Sequence, residues 1–153
     1  MWQDLPKAMS AIAEYDDLRA VIVAGRGPSF CVGIDLSDLG SMPDLSSAAG
    51  FVKQQSVTKT CQDAITAVAN CPVPVIAAVH NHCLGGGVDL ITACDVRLAS
   101  SDASFGVRET KIGIVADVGT LQRLPSIVGA GHVAELVYTG ADIGSQRAAE
   151  IGL

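Results

Sequence analysis

The 153 residues suffice for one domain, and a hydrophobic content of 49% is ample for a core. Mean hydropathy is +0.40, yet no apolar run reaches the ~18–20 residues that a membrane span needs. A formal charge of −6, a pI near 4.8 and the lack of any Lys/Arg cluster exclude the basic stripe of a nucleic-acid surface.

Leu5, Met9, Ile12 and Ala13 recur at helical spacing, which predicts an amphipathic helix over about residues 2–16 with Pro6 in its early turns. The apolar run Ala20–Gly25 ends in Gly25-Arg26-Gly27-Pro28 and reads as a buried strand feeding a loop. Phe30–Leu36 (FCVGIDL) fits neither period, and Ser37–Ser47, rich in Ser, Gly, Asp and Pro, reads as loop. From Ala48 to Asn70 the positions Val57, Cys61, Ile65 and Val68 step by four, four and three, one face of a long helix. Cys71-Pro72-Val73-Pro74 ends it, and Val75–Val79 (VIAAV) is a second buried strand. His80 and His82 flank Asn81 in a predicted loop, after which Gly85-Gly86-Gly87 opens a short helix over about 86–94. Val96–Ala99 and Ser104–Val107 read as strands, and Gly119–Val128 and His132–Tyr138 as helices separated by Gly129-Ala130-Gly131. A last helix starts near Ser145, an N-cap residue type. Alternating strands and helices imply an α/β domain with a mostly parallel sheet.

The five cysteines (Cys31, Cys61, Cys71, Cys83, Cys94) are odd in number and include no C-x-x-C pair. Reduced thiols acting as small hydrophobes are the expectation. Met1-Trp2-Gln3-Asp4 lacks the basic and apolar regions of a signal peptide. The expected address is the cytoplasm, with organelle targeting left open because the abrupt ends suggest a portion of a longer protein.

The chemistry concentrates between His80 and Thr120. The glycine triplet is neither a phosphate loop, since no Lys follows, nor a G-x-G-x-x-G fingerprint. It can bring a backbone N–H at a helix start close to a carbonyl oxygen that becomes anionic. An oxyanion site needs a second donor, and the Ile34 N–H in FCVGIDL is the candidate partner of the Gly86 N–H. Three carboxylates follow in largely apolar sequence: Asp89, Glu109 and Asp117. Each has a structural alternative. Asp89 could complement the dipole of its own helix, Glu109 could pair with Arg108 or Lys111 on a solvated face, and Asp117 could be an N-cap. Asp95 and Asp102 read as turn residues. No third ligand joins His80 and His82 at metal spacing, so no metal is expected.

FCVGIDL, PVIAAVHNHCLGGGVDLITACDVRLAS and FGVRETKIGIVADVGTLQRLPSIVG together resemble the enoyl-CoA hydratase/isomerase (crotonase) superfamily over most of the chain. Within it the sequence looks most like the Δ3,5-Δ2,4-dienoyl-CoA isomerases. Val88-Asp89 stands where hydratases typically carry Glu, Glu109 where they also have a catalytic Glu, and Asp117 where they usually have Gly. The resemblance implies a spiral of ββα turns forming two nearly perpendicular sheets with helices around them, residues 1–153 being a partial core without the family's N- and C-terminal regions. It implies an oxyanion hole at Ile34 and Gly86, an acyl-CoA thioester as substrate, no separate cofactor, and homotrimers or hexamers when full length. Ser37 stands where hydratases often place a basic residue near the CoA phosphates.

The expected reaction moves the double bonds of a 3,5-dienoyl-CoA to the 2,4 positions in fatty acid β-oxidation, with Asp89, Glu109 and Asp117 as the catalytic acids. Two alternatives stand beside it. Hydration of a 2-enoyl-CoA needs Asp89 and Glu109 alone, and a truncated chain could bind acyl-CoA without turning it over.

Overall fold

The computed structural model describes residues 1–39 and 43–153. Its centre is a parallel sheet of three strands in the order β1 (Val21–Ala24), β2 (Val75–Val79), β4 (Val96–Ala99). Val21 lies opposite Val75, and Ile76 opposite Val96. Asp95 locks this register: its N–H donates to the Val75 carbonyl at 2.9 Å, and its carboxylate accepts from the Val75 N–H at 2.7 Å. Val75, Ala77 and Val79 turn inward and are buried, as the period of two requires. The opposite face leaves Ile22, Val96 and Leu98 exposed.

The second sheet is smaller. β3 (His82–Leu84) runs parallel to β5 (Ser104–Gly106), and β6 (Ile143–Gly144) pairs antiparallel with β5. Around the sheets lie α1 (Leu5–Ile12), α2 (Leu36–Leu39), α3 (Ala48–Ala69), α4 (Gly86–Thr92), α5 (Thr120–Val128), α6 (Ala130–Thr139) and α7 (Ser145–Ile151). A 3₁₀ turn spans Glu109–Ile112. The expected ββα order recurs, first as β2–β3–α4 and then as β4–β5 followed by the 3₁₀ turn.

Local chemistry explains the boundaries. Pro6 sits in the first turn of α1, where its missing N–H costs nothing. The Ser47 hydroxyl accepts from Gly50 N–H at 3.0 Å and caps α3, which ends at Asn70 just before Pro72 and Pro74. Ala64, Ile65 and Val68 fix the C-terminal half of α3 in the core, whereas Val57 is exposed, so the predicted apolar face is buried only from Cys61 onward.

Other expectations are corrected. The first helix is shorter than residues 2–16. Helix α2 starts at Leu36, which fitted neither period, and takes in residues 37–39, where loop was expected; residues 40–42 of that predicted loop lie outside the described ones. His82 belongs to a strand, not a loop. Gly144 rather than Ser145 caps α7, and the Ser145 hydroxyl donates to the Ser101 carbonyl at 2.9 Å. The Gly129-Ala130-Gly131 break contracts to Gly129, which closes α5 and opens α6.

Candidate active site

Three backbone hydrogen bonds bring the two glycine loops together. Phe30 N–H donates to the His80 carbonyl at 3.0 Å, Cys31 N–H to the His82 carbonyl at 3.1 Å, and Leu84 N–H to the Cys31 carbonyl at 2.9 Å. The chain Phe30–Ile34 therefore runs beside β3 into the triplet. A methyl placed on Gly33 would lie 3.3 Å from Gly86 N, so the residue before Ile34 packs against the start of the triplet helix. Gly86 is the first residue of α4, where no helical carbonyl serves its N–H. The Ile34 N–H donates to nothing among the described residues.

Glycine is required here for two separate reasons. Gly85 has φ +52, a conformation that L side chains rarely adopt. At Gly87 a Cβ would lie 2.7 Å from the Cys31 carbonyl oxygen, so any side chain would push the loops apart.

Glu109 opens the 3₁₀ turn and is 9% exposed. Its Oε1 lies against Gly85, 3.3 Å from where a Cβ would stand. Its Oε2 is out of water and has no hydrogen-bond partner among the described residues. Arg108, a suggested partner, is instead paired with Asp142. Burial pushes the Glu109 carboxyl above the usual carboxylate range, and the charges of Asp89 and Asp117 push the same way. A dry carboxyl of raised basicity, with one unpartnered oxygen among the described residues and the other against Gly85, is the feature that suits proton transfer.

Asp89 is 1% exposed, and its Oδ1 accepts from the Thr120 N–H at 2.6 Å. It complements a helix N-terminus, but that of α5 rather than its own. Burial raises its pKa, opposed by the Thr120 bond and the Arg123 guanidinium, while Asp117 adds to the rise. The carboxylate thus ties α4 to α5 and adds its charge to what burial does at Glu109.

Asp117 departs from the expectation of an apolar setting. Its side chain is exposed, on a groove of about 670 Å³ lined also by Phe51, Thr58, Lys59 and Gln62. Gly119 occupies the N-cap position of α5, so Asp117 is not that helix's cap. Its backbone carbonyl accepts from Gln62 Nε2 at 2.7 Å.

Several contributors carried no signal strong enough to find from sequence. The Trp2 indole rests on Gly86, its edge 3.1 Å from where a Cβ would stand, and shields that side of the triplet. Trp2, Val57, Thr60 and Cys61 line a cavity of about 370 Å³. Burial raises the Cys61 thiol, helped by Asp117 and Asp89, which places Cys61 in the field of both acids. Among the other thiols, burial pushes Cys94 up to about 11 and Cys83 higher still, so both behave as small hydrophobes. Asp95 and Asp102 hold turns, through Val75 and Ser100 respectively.

The profile of the Enoyl-CoA hydratase/isomerase family matches residues 1–153. The chain belongs to that family. The enoyl-CoA hydratase/isomerase chain is 46% identical to the peroxisomal Δ(3,5)-Δ(2,4)-dienoyl-CoA isomerase of Arabidopsis thaliana, with 98% of this chain and 56% of that protein covered. It is 42% identical to the mitochondrial enzyme of the same name from Rattus norvegicus, over 99% of this chain and 48% of that one. The crystal structure of an enoyl-CoA hydratase from Bacillus anthracis superposes with a TM-score of 0.88 at 36% identity, covering 99% of this chain and 56% of that chain. The chain thus spans about half the length of the curated relatives it matches. Those relatives' names place them in the peroxisome and the mitochondrion, not in the cytoplasm expected from the sequence. No helix among the described residues is long and apolar enough to cross a membrane.

Proposed function

We propose that the full gene product is a dienoyl-CoA isomerase, shifting a 3,5-dienoyl-CoA to its 2,4 isomer. The observation that carries this reading is the buried Glu109 carboxyl, whose Oε1 lies against Gly85 and whose Oε2 is dry and without a hydrogen-bond partner among the described residues, with a further acid, Asp117, near enough for its charge to act on it. The Ile34 and Gly86 N–H groups hold the thioester oxygen. The Glu109 carboxylate takes the C2 proton, leaving an enolate whose charge spreads along the diene to C6. Protonated Asp117 gives its proton to C6, which closes the 2,4-dienoyl product. Return of the proton from Glu109 to Asp117 through solvent restores the starting state, so no atoms are gained or lost. Each amide donor contributes about 3–4 kcal/mol to stabilising the enolate, in line with single-donor losses at such sites. Asp89 stays bound to Thr120, and its charge adds to the rise of the Glu109 pKa that burial causes.

In this proposal the exposed Asp117 is covered, in the full gene product, by the C-terminal region that the family resemblance implies. The substrate is an acyl-CoA thioester, no separate cofactor takes part, and assembly is as trimers or hexamers, which sedimentation of the full gene product tests.

A second reading is enoyl-CoA hydration. Its support is that Asp89 and Glu109 are buried close enough to influence each other while Asp117 lies in water. Two carboxylates gripping one water would suffice for that reaction. Supplying the full gene product with a 3,5-dienoyl-CoA and, separately, a short 2-enoyl-CoA separates the two. Rapid diene migration with slow water addition is expected. The reverse order of rates overturns the isomerase assignment.

A further inference from the structure

We propose that Gln62 is a positioning residue of this site: its side-chain amide holds the Asp117 backbone carbonyl and thereby aims the third acid at the far end of the conjugated substrate. This rests on the isomerase reading above.

The bond is specific and long-range. Gln62 Nε2 donates to the Asp117 carbonyl at 2.7 Å across 55 residues of chain. Its two ends differ in rigidity. Gln62 stands on α3, next to Ala64, Ile65 and Val68, which are at most 1% exposed and fix the helix in the core. Asp117 stands in an irregular segment between Gly113, whose φ is +72, and α5. Upstream, Ile114 N–H holds the Glu109 carbonyl at 3.1 Å; downstream, Thr120 N–H holds Asp89 at 2.6 Å. Between these two anchors, Gln62 provides the one hydrogen bond that reaches residues 115–119 from outside the segment and α5, among the described residues.

The chemistry of the donor matters as much as its place. The amide binds the main-chain oxygen and leaves both carboxyl oxygens of Asp117 free to carry a proton.

The test uses the full gene product and two readouts: 2,4-dienoyl product formation, and exchange of the C2 proton with deuterated water, which needs Glu109 but not Asp117. Gln62→Met keeps the length and removes the donor. Its kcat for diene migration is expected to fall roughly 10- to 100-fold, the scale of a small misplacement of a catalytic group. C2 exchange is expected to stay at the wild-type rate, and KM to change less than about two-fold, because substrate binding is untouched. Gln62→Glu regains a donor only when protonated, so its activity relative to Gln62→Met should climb as pH falls. Diene migration at the wild-type rate in Gln62→Met overturns the proposal. So does an equal loss of migration and exchange, which marks a merely structural role. Asp117→Asn run in parallel separates the two levels. Normal migration in Asp117→Asn removes Asp117 from the mechanism and Gln62's role with it, whereas the isomerase reading itself falls only if the unsubstituted protein hydrates a 2-enoyl-CoA faster than it migrates a diene. A dead Asp117→Asn beside a fully active Gln62→Met overturns the role of Gln62 alone.

Discussion

The three candidate acids stand in two regions built on opposite principles. Glu109 and Asp89 lie buried in the dry flank of the site, and burial raises the pKa of both. Asp117 stands in an open groove on an irregular segment. A buried acid acquires its basicity from the fold alone. An exposed acid depends on something that covers it and something that holds it still. The same residue type therefore does different work at the two places, and substitutions should tell them apart.

The largest expected effect is at the dry flank. Glu109→Gln in the full gene product should lower both diene migration and C2 exchange by about 10²–10⁴-fold, the usual contribution of a positioned acid–base group. Retained C2 exchange would move the base elsewhere.

Next comes the junction of the two loops. Gly87→Ala puts a Cβ 2.7 Å from the Cys31 carbonyl oxygen, and neither atom belongs to a flexible side chain. A loss of about 1–3 kcal/mol of stability is expected, the cost of forcing extra atoms into a packed site. Chemical denaturation measures it, and an unchanged midpoint would mean that the loops are farther apart than described.

A subtler comparison uses pH. Glu109 binds its proton more tightly when folded than when unfolded, since its folded pKa is raised. The folded state therefore loses stability as pH rises from the ordinary carboxylate range through the folded value of this group. Glu109→Gln removes that loss, so its Tm relative to wild type should rise between pH 4 and neutrality. A difference in Tm independent of pH would contradict the burial of this carboxyl.

The smallest effect belongs to a pair outside the site. Hydrogen bonds from Arg108 hold the Asp142 carboxyl below its ordinary range, with burial opposing and the Arg108 charge assisting. That stability is present above the ordinary Asp value and is lost as pH falls through the depressed one. Both partners are about a third exposed, so Asp142→Asn should cost at most about 1 kcal/mol at neutral pH. Denaturant midpoints at pH 7 and pH 3 check both the size and the direction.

Much of this was legible in the chain itself because the strong signals are local. VIAAV and VRLA are apolar runs between turn residues, and the Ser47-capped helix repeats its apolar positions for several turns. β3 and β6 were not legible, since three and two residues are too few to show a period, and their pairing with β5 is decided by tertiary structure. The oxyanion candidates followed from glycines at a helix start. The partner of Asp89 did not, because Thr120 is a residue of another helix, 31 positions away. Glu109 read equally well as a surface ion-pair member with Arg108 or Lys111, and only its burial, with Oε2 unpartnered among the described residues and Arg108 committed to Asp142, removed that option. The exposure of Asp117 could not be inferred from its apolar neighbours Ala116 and Val118, because Ala116 turns inward while Asp117 faces the groove.

The central claim is that two acids serve opposite ends of one conjugated chain, and Asp117→Asn in the full gene product tests it most directly. The measurement follows deuterium entering C2 of a 3,5-dienoyl-CoA alongside appearance of the 2,4 product. The account predicts that exchange continues, driven by Glu109 and the Ile34 and Gly86 amides, while product formation stops. Product appearing at the wild-type rate would contradict it.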